Sequence, residues 1–312
     1  MRRYGAGFVV FCLASAGALA QTSGAGDSGV LSFATAGSLQ RTADGTRFAP
    51  DAAAATISGE LLLPEGKGPF PAVVLVHGCG GNRSVEGTWG PVLRQWGYAT
   101  FNVDSFRGRG LSEVCTQPAA LFPLQRLPDA YGALRLLAAH ARIDPARIAL
   151  MGFSHGGALT LLASTAWAKE TYVREGAPGY RVFFPFYPNC NGEFPERKRI
   201  SAAVRIHAGE ADDWTPAKPC AALVAAWQAS GQDAAIDVYP GAYHAFDQAR
   251  DYAYLPNVNN AGNCFPVSAS ILGPLLSTTP NCVKKGASVA PNSTATEQAR
   301  RNLRAQLAEL MK

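Results

Sequence analysis

No long run of lysine or arginine occurs in these 312 residues, and the formal charge is a modest +5. A nucleic-acid partner needs a concentrated basic face, so none is expected. The chain also lacks an apolar stretch of the ~20 residues needed to span a bilayer; the run from about Phe8 to Leu19 falls short. No C-x-x-C pair is present, which removes the usual signature of zinc, and neither a metal nor an organic cofactor is expected. No internal repeat is apparent.

What the N-terminus does contain is Met1-Arg2-Arg3, the short apolar run, and Ala18-Leu19-Ala20 before Gln21. A basic start, a short apolar core and an A-x-A end are the marks of a cleaved export signal. Residues 1–20 are therefore expected to be removed, leaving an exported protein, periplasmic or secreted, without a membrane anchor. Of seven cysteines, Cys12 leaves with that segment. The remaining six are an even number in an exported chain, which points to disulfides. Order along the chain makes Cys79–Cys115, Cys190–Cys220 and Cys264–Cys282 the simplest pairing.

Residues 21–56, rich in Gly, Ala, Ser and Thr, read as a loose leader. From there the pattern tightens. Strands are predicted at 57–63, 71–76, 98–103, 147–151, 181–187, 203–208 and 235–239, several of them continuous apolar runs bounded by Pro or Gly. Helices are predicted between them at 88–96, 129–141, 158–168 and 217–230. Alternating strands and helices argue for an α/β fold with a mostly parallel, doubly wound sheet. Residues 57–312 read as one domain. Within it, 248–292 is rich in Asn, Pro, Gly and Ser and is expected to be irregular. A C-terminal helix follows, opened by a capping-box pattern at Thr294-Ala295-Thr296-Glu297, with Ala299, Leu303, Leu307 and Leu310 on one face.

The strand at 147–151 runs into Gly152-Phe153-Ser154-His155-Gly156-Gly157. G-x-S-x-G between a strand and a helix is the nucleophile-elbow pattern. The turn forces the serine into a strained conformation that only tiny neighbours tolerate, and the helix behind it points its positive end at the site. A Gly/Ser turn without chemistry is the blander alternative, and the strand-to-helix context weighs against it. A serine hydroxyl needs a base, and the base an orienting carboxylate. His207 lies within a predicted strand and reads as a core histidine. His244 lies in the turn-rich loop Tyr239–Asp247 after the last strand, where the base belongs. The acid is expected in Gly209-Glu210-Ala211-Asp212-Asp213-Trp214-Thr215-Pro216; spacing alone does not choose between Asp212 and Asp213. Oxyanion donors are expected from the backbone N–H groups of His155 and Cys79, the latter in the glycine-rich loop His77–Gly81. His77 itself reads as a structural hydrogen-bonding residue.

These segments together resemble the dienelactone hydrolase family of α/β-hydrolases. The likeness runs from about Gly59 to Asp247 and rests on residues 69–81, 104–110, 152–157, 209–216 and 239–247. It implies an α/β-hydrolase fold and hydrolysis of esters or lactones. The family's acid stands three residues after a glycine and shortly before a Val/Thr-Pro pair, which implies Asp212, hence Ser154, Asp212 and His244 as the triad. The namesake enzymes carry cysteine in the elbow, whereas this chain has serine, which moves the expectation towards a serine esterase acting on a small-molecule ester or lactone. A small peptidase of the prolyl-oligopeptidase type shares the triad order, but the chain leaves no room for the large gating domain such enzymes carry. A non-catalytic binding protein with this fold typically loses a triad residue or the glycines, and all are present here. Arg107 and Arg109 follow a strand end and are candidate substrate contacts, with a solvated or salt-bridged arginine as the plainer reading. Phe153 and Trp214 are candidates for the acyl pocket, or packing.

Overall fold

Apolar runs bounded by proline and glycine become the centre of the sheet. In the computed structural model, which describes residues 28–41, 48–82, 85–193, 195–264, 267–268 and 282–312, eight strands pair into one sheet. They are β1 (Gly29–Ala34), β2 (Thr56–Leu62), β3 (Phe70–Val76), β4 (Ala99–Asp104), β5 (Ile143–Phe153), β6 (Val182–Phe186), β7 (Ala203–Gly209) and β8 (Ala234–Tyr239). Their spatial order is β1-β2-β4-β3-β5-β6-β7-β8. The strands from β4 to β8 pair in parallel, while β2 runs antiparallel to both β1 and β4. This is the doubly wound α/β architecture expected.

Side chains of a strand alternate between faces, and β3 shows what that does. Val74 and Val76 enter one core together with Ile148 and Leu150 of β5. Val73 and Leu75 enter the other, with Ala149 and Met151. All eight are completely buried, each of the larger ones contributing about 1.5–3 kcal/mol. Helices α2 (Leu127–Ala138), α3 (His155–Ala163) and α5 (Ala217–Ala229) cover the first core. Helices α1 (Val85–Gln95) and α6 (Ser293–Leu310) cover the second through Trp89, Leu93, Ala299, Leu303 and Leu307.

Several expectations need correcting. The leader is not loose throughout, because Gly29–Ala34 is an edge strand of the sheet and Ser38–Arg41 pairs with Phe48–Asp51. The predicted helix at 158–168 is two helices. The first starts directly after Ser154, and α4 (Ala166–Tyr172) begins afresh where the Thr165 side chain accepts from the Ala168 N–H at 3.1 Å. Helix α2 begins at Leu127 because Pro128 suits a first turn. The cap of α6 is Asn292, whose side chain accepts from Ala295 N–H at 3.0 Å, rather than Thr294. Segment 248–292 is not wholly irregular either: β9 (Ala253–Asn260) and β10 (Lys284–Val289) form an antiparallel ribbon. The export signal at 1–20 lies outside the described residues.

Cysteines pair as Cys79–Cys115, Cys190–Cys220 and Cys264–Cys282, following their order along the chain. Among the described residues no helix is long and apolar enough to cross a membrane. No group of three or more His, Cys, Asp or Glu side chains there is placed to hold a metal ion.

Candidate active site

The carboxyl ends of β3, β5, β7 and β8 converge, and each is followed by one segment singled out in the sequence. After β5 the chain turns so sharply that Ser154 takes φ 55° and ψ −111° as the cap of α3, a conformation non-glycine residues rarely adopt. The neighbours explain how it is tolerated. A Cβ on Gly152 would strike the Gly156 carbonyl and the Thr160 hydroxyl, and one on Gly156 would strike the Val76 carbonyl. The Ser154 N–H is anchored on the Phe186 carbonyl at 3.0 Å.

The Ser154 hydroxyl lies 2.9 Å from His244 Nε2, and His244 Nδ1 lies 2.8 Å from Asp212 Oδ2. Since a carboxylate only accepts, Nδ1 carries the proton and Nε2 is left to accept from Ser154. Asp212 is held in turn. Its Oδ1 accepts from the N–H groups of Trp214 (2.9 Å) and Thr215 (2.8 Å), and the Thr215 hydroxyl is 2.9 Å from Oδ2. Both His244 and Asp212 are buried. Asp213, which spacing left open as an alternative, points away: exposed, it accepts from Ser288 N–H of β10 at 2.8 Å. Glu210 accepts from Gly241 N–H at 3.0 Å.

Aromatic groups frame the imidazole. Tyr187 meets His244 edge-on and Trp214 lies tilted against it, both with ring centroids 4.8 Å away. Behind them, Asp247 accepts from Trp89 Nε1 (2.6 Å) and the Tyr187 hydroxyl (2.8 Å). Burial raises the Asp247 pKa. Sequence reasoning did not find this support, nor the role of Thr215.

The other wall comes from the loop after β3. His77 is buried; its Nδ1 donates to the Gly78 carbonyl at 2.8 Å, and its Nε2 accepts from Ser105 N–H at 3.3 Å. Burial, and secondarily Arg126, hold its pKa well below the ordinary histidine value, so it is neutral. Cys79, in a disulfide with Cys115, and His155, the first residue of α3, both face the cavity beside Ser154. His155 Nε2 donates to the Leu121 carbonyl at 3.0 Å, and its Nδ1 accepts from Arg126 at 2.8 Å. Burial and then Arg126 push its pKa down to about 3. Arg126 was missed in the sequence, although a lone arginine between Leu124 and Leu127 in an apolar stretch is the kind of signal that marks it.

The cavity at Ser154 holds about 180 Å³ and is walled by Val114, Pro118, Pro123, Trp214, Asn259 and Ala261 among others. Among the described residues no lysine, arginine, aspartate or glutamate lines it. Trp214 is thus where the sequence suggested. The other three candidate contacts are not brought to the cavity. Phe153 is buried in the second core against Phe186, with ring centroids 5.2 Å apart. The Arg107 side chain is 88% exposed beside Asp104. Arg109 makes a bidentate pair with buried Asp129 at 2.9 and 2.7 Å.

Residues 57–263 match the family model described as the dienelactone hydrolase family. The chain belongs to the dienelactone hydrolase family. Solved structures of similar fold include that of a putative dienelactone hydrolase from Klebsiella pneumoniae subsp. pneumoniae MGH 78578. It shows TM-score 0.54 and 16% identity, over 90% of this chain and 99% of that one. A dienelactone hydrolase-like promiscuous phosphotriesterase from metagenomic libraries gives TM-score 0.53 and 18% identity, over 91% and 100%. The esterase EstD of Thermotoga maritima is 32% identical over 110 residues, 33% of this chain and 26% of that protein. A lactonase of Bradyrhizobium sp., named as a probable 2-oxo-3-(5-oxofuran-2-ylidene)propanoate lactonase, is 28% identical over 142 residues, 42% of this chain and 52% of that one. The chain therefore spans between a quarter and about half the length of these curated relatives. Strand β10 falls beyond the family match, yet it is tied to the dienelactone-hydrolase core through a bridge between Val289 and His244.

Proposed function

We propose that this member of the dienelactone hydrolase family is a serine hydrolase of carboxylic esters or lactones working through an acyl-enzyme. The observation that carries the reading is the continuous relay from Ser154 to His244 to Asp212, at 2.9 and 2.8 Å. In this mechanism His244 takes the Ser154 proton as the oxygen attacks the ester carbonyl. The backbone N–H groups of Cys79 and His155 receive the oxyanion. Asp212 keeps the proton on Nδ1 and stabilises the imidazolium. His244 then protonates the leaving alcohol, and water, activated by the same histidine, releases the acid.

The cavity supports a substrate class. With no charged side chain on its wall among the described residues and His155 neutral, it suits a small uncharged acyl or alcohol group; an anionic substituent would meet no counter-charge on that wall. Export is part of the proposal: the N-terminal pattern and three disulfides support an oxidising compartment. Hydrolysis of a panel of short p-nitrophenyl esters, neutral lactones, carboxylate-bearing esters and peptides tests this reading. Neutral short esters are expected to lead, with Ser154→Ala inactive but folded. Undiminished activity of Ser154→Ala removes the nucleophile assignment, and a preference for anionic esters removes the substrate class.

A further inference from the structure

Arg126 sits at the end of the short helical turn Pro123–Arg126 before α2 and is completely buried. One nitrogen, Nη1, donates to two acceptors: the His77 carbonyl at 2.9 Å and His155 Nδ1 at 2.8 Å. The first belongs to the loop that carries Cys79, the second to the residue after Ser154. A single guanidinium thus ties together the two backbone segments proposed to hold the oxyanion.

Its charge is harder to explain as scaffolding. Nε and Nη2 are buried and have no hydrogen-bond partner. Among the described residues no carboxylate stands within salt-bridge distance of it, since neighbouring Asp129 is engaged by Arg109 at 2.7 Å. The Phe106 ring lies 5.3 Å from the guanidinium carbon. Burial lowers its pKa to about 10, which still leaves it charged at neutral pH. Both groups it binds are neutral. A buried cation with no carboxylate in contact is costly, even with Asp129 and Asp104 near enough to favour its charged form, and a neutral donor could make the same two bonds. On the acyl-transfer reading a further negative charge arises transiently nearby, on the carbonyl oxygen once Ser154 has attacked.

We propose that Arg126 is a positioning residue that registers the Cys79 and His155 donors and favours the anionic intermediate over the neutral ester. The proposal rests on the acyl-transfer reading above. It assigns Arg126 no contact with substrate; it acts through the two segments it binds and through its field, which is weakly screened in a dry interior.

The test compares wild type, Arg126→Met and Arg126→Gln. It uses kcat and KM on p-nitrophenyl acetate, inhibition by a trifluoromethyl ketone that forms an anionic adduct with serine, and thermal melting. Arg126→Met is expected to lower kcat about tenfold to a hundredfold, less than or equal to the loss of a direct oxyanion donor. KM should move less than about threefold, and ketone affinity should fall with kcat/KM. Melting should change little, because relief of the buried charge offsets the two hydrogen bonds lost. A purely structural arginine predicts the reverse, with melting falling and the ketone affinity following KM; that result overturns the proposal. Should Arg126→Met fail to fold, Arg126→Gln decides: it retains a neutral donor, and wild-type kcat in that variant overturns the role of the charge. Labelling wild type with a fluorophosphonate separates the two layers. No adduct at Ser154 sinks the acyl-transfer reading itself, whereas labelling with an indifferent Arg126 sinks only this inference.

Discussion

Asp212→Asn exchanges one oxygen for an amide nitrogen and leaves the shape of the site almost unchanged. Oδ1 can continue to accept from the Trp214 and Thr215 N–H groups, now at 2.9 and 2.8 Å, so the loop should survive, at a stability cost of roughly 1 kcal/mol for the lost charge assistance. The amide N–H₂ then faces His244 Nδ1, which lies 2.8 Å from the replaced atom. Two donors cannot share that bond, so the imidazole proton moves to Nε2. There it faces the Ser154 hydroxyl at 2.9 Å and the base is lost. The expected fall in kcat is about 10³–10⁴-fold, or about 4–5 kcal/mol of transition-state stabilisation. Asp213→Asn is the matched control. That residue is exposed and binds Ser288 N–H through an oxygen that asparagine also has, so activity should stay within about twofold, as for ordinary surface changes. Initial rates on p-nitrophenyl acetate, with circular dichroism to show both variants folded, read the pair. An active Asp212→Asn beside an inactive Asp213→Asn would refute the reasoning.

Three further outcomes are expected. Ser154→Gly relieves a positive φ and should be about 1 kcal/mol more stable than Ser154→Ala, melting about 2–4 °C higher; equal melting contradicts the strain. Replacing Cys79 and Cys115 together by Ser opens a loop with sequence separation 36 and should cost about 4 kcal/mol on chain-entropy grounds, read as a lower urea midpoint. Stability should also fall on acidification. Burial holds His77, His155 (about 3) and His207 (about 4) below the ordinary histidine value, so from about pH 6.5 downward the unfolded chain takes up protons that the folded chain refuses. Each contributes about 1.4 kcal/mol per pH unit, lost as the pH falls towards the folded values. Asp247, raised by burial, opposes them by binding its proton earlier when folded. Urea midpoints at pH 7, 6 and 5 should decline in sequence; a flat series would show that these histidines are not buried neutral.

The parts of the fold legible in the sequence are those buried on both faces. Val73–Val76 and Ile148–Met151 read as strands because every one of their residues is covered. Gly29–Ala34 was lost in the leader because, at the sheet edge, most of its side chains are exposed or half-buried. The ribbon β9–β10 escapes for a similar reason, since its strands, rich in Asn and Lys, are stabilised by pairing and by side-chain ties such as Asn260 to the carbonyls of Asp213 and Gly286, both at 2.9 Å. Motif and order were enough to bring Ser154 and His244 together. Asp212 and Asp213 are adjacent in sequence, so only the backbone path around Trp214 and Thr215 separates their roles. Arg126 has no motif at all; its significance is a matter of what surrounds it, which composition and periodicity do not carry.

The central claim is that Ser154 forms the covalent intermediate. Treating the folded protein with a fluorophosphonate and mapping the modified peptide by mass spectrometry tests it most directly. One adduct per chain on the peptide containing Ser154, with ester hydrolysis lost in proportion and no adduct in Ser154→Ala, is the predicted result. Full hydrolysis without labelling, or labelling at another residue that tracks the loss of activity, would contradict it.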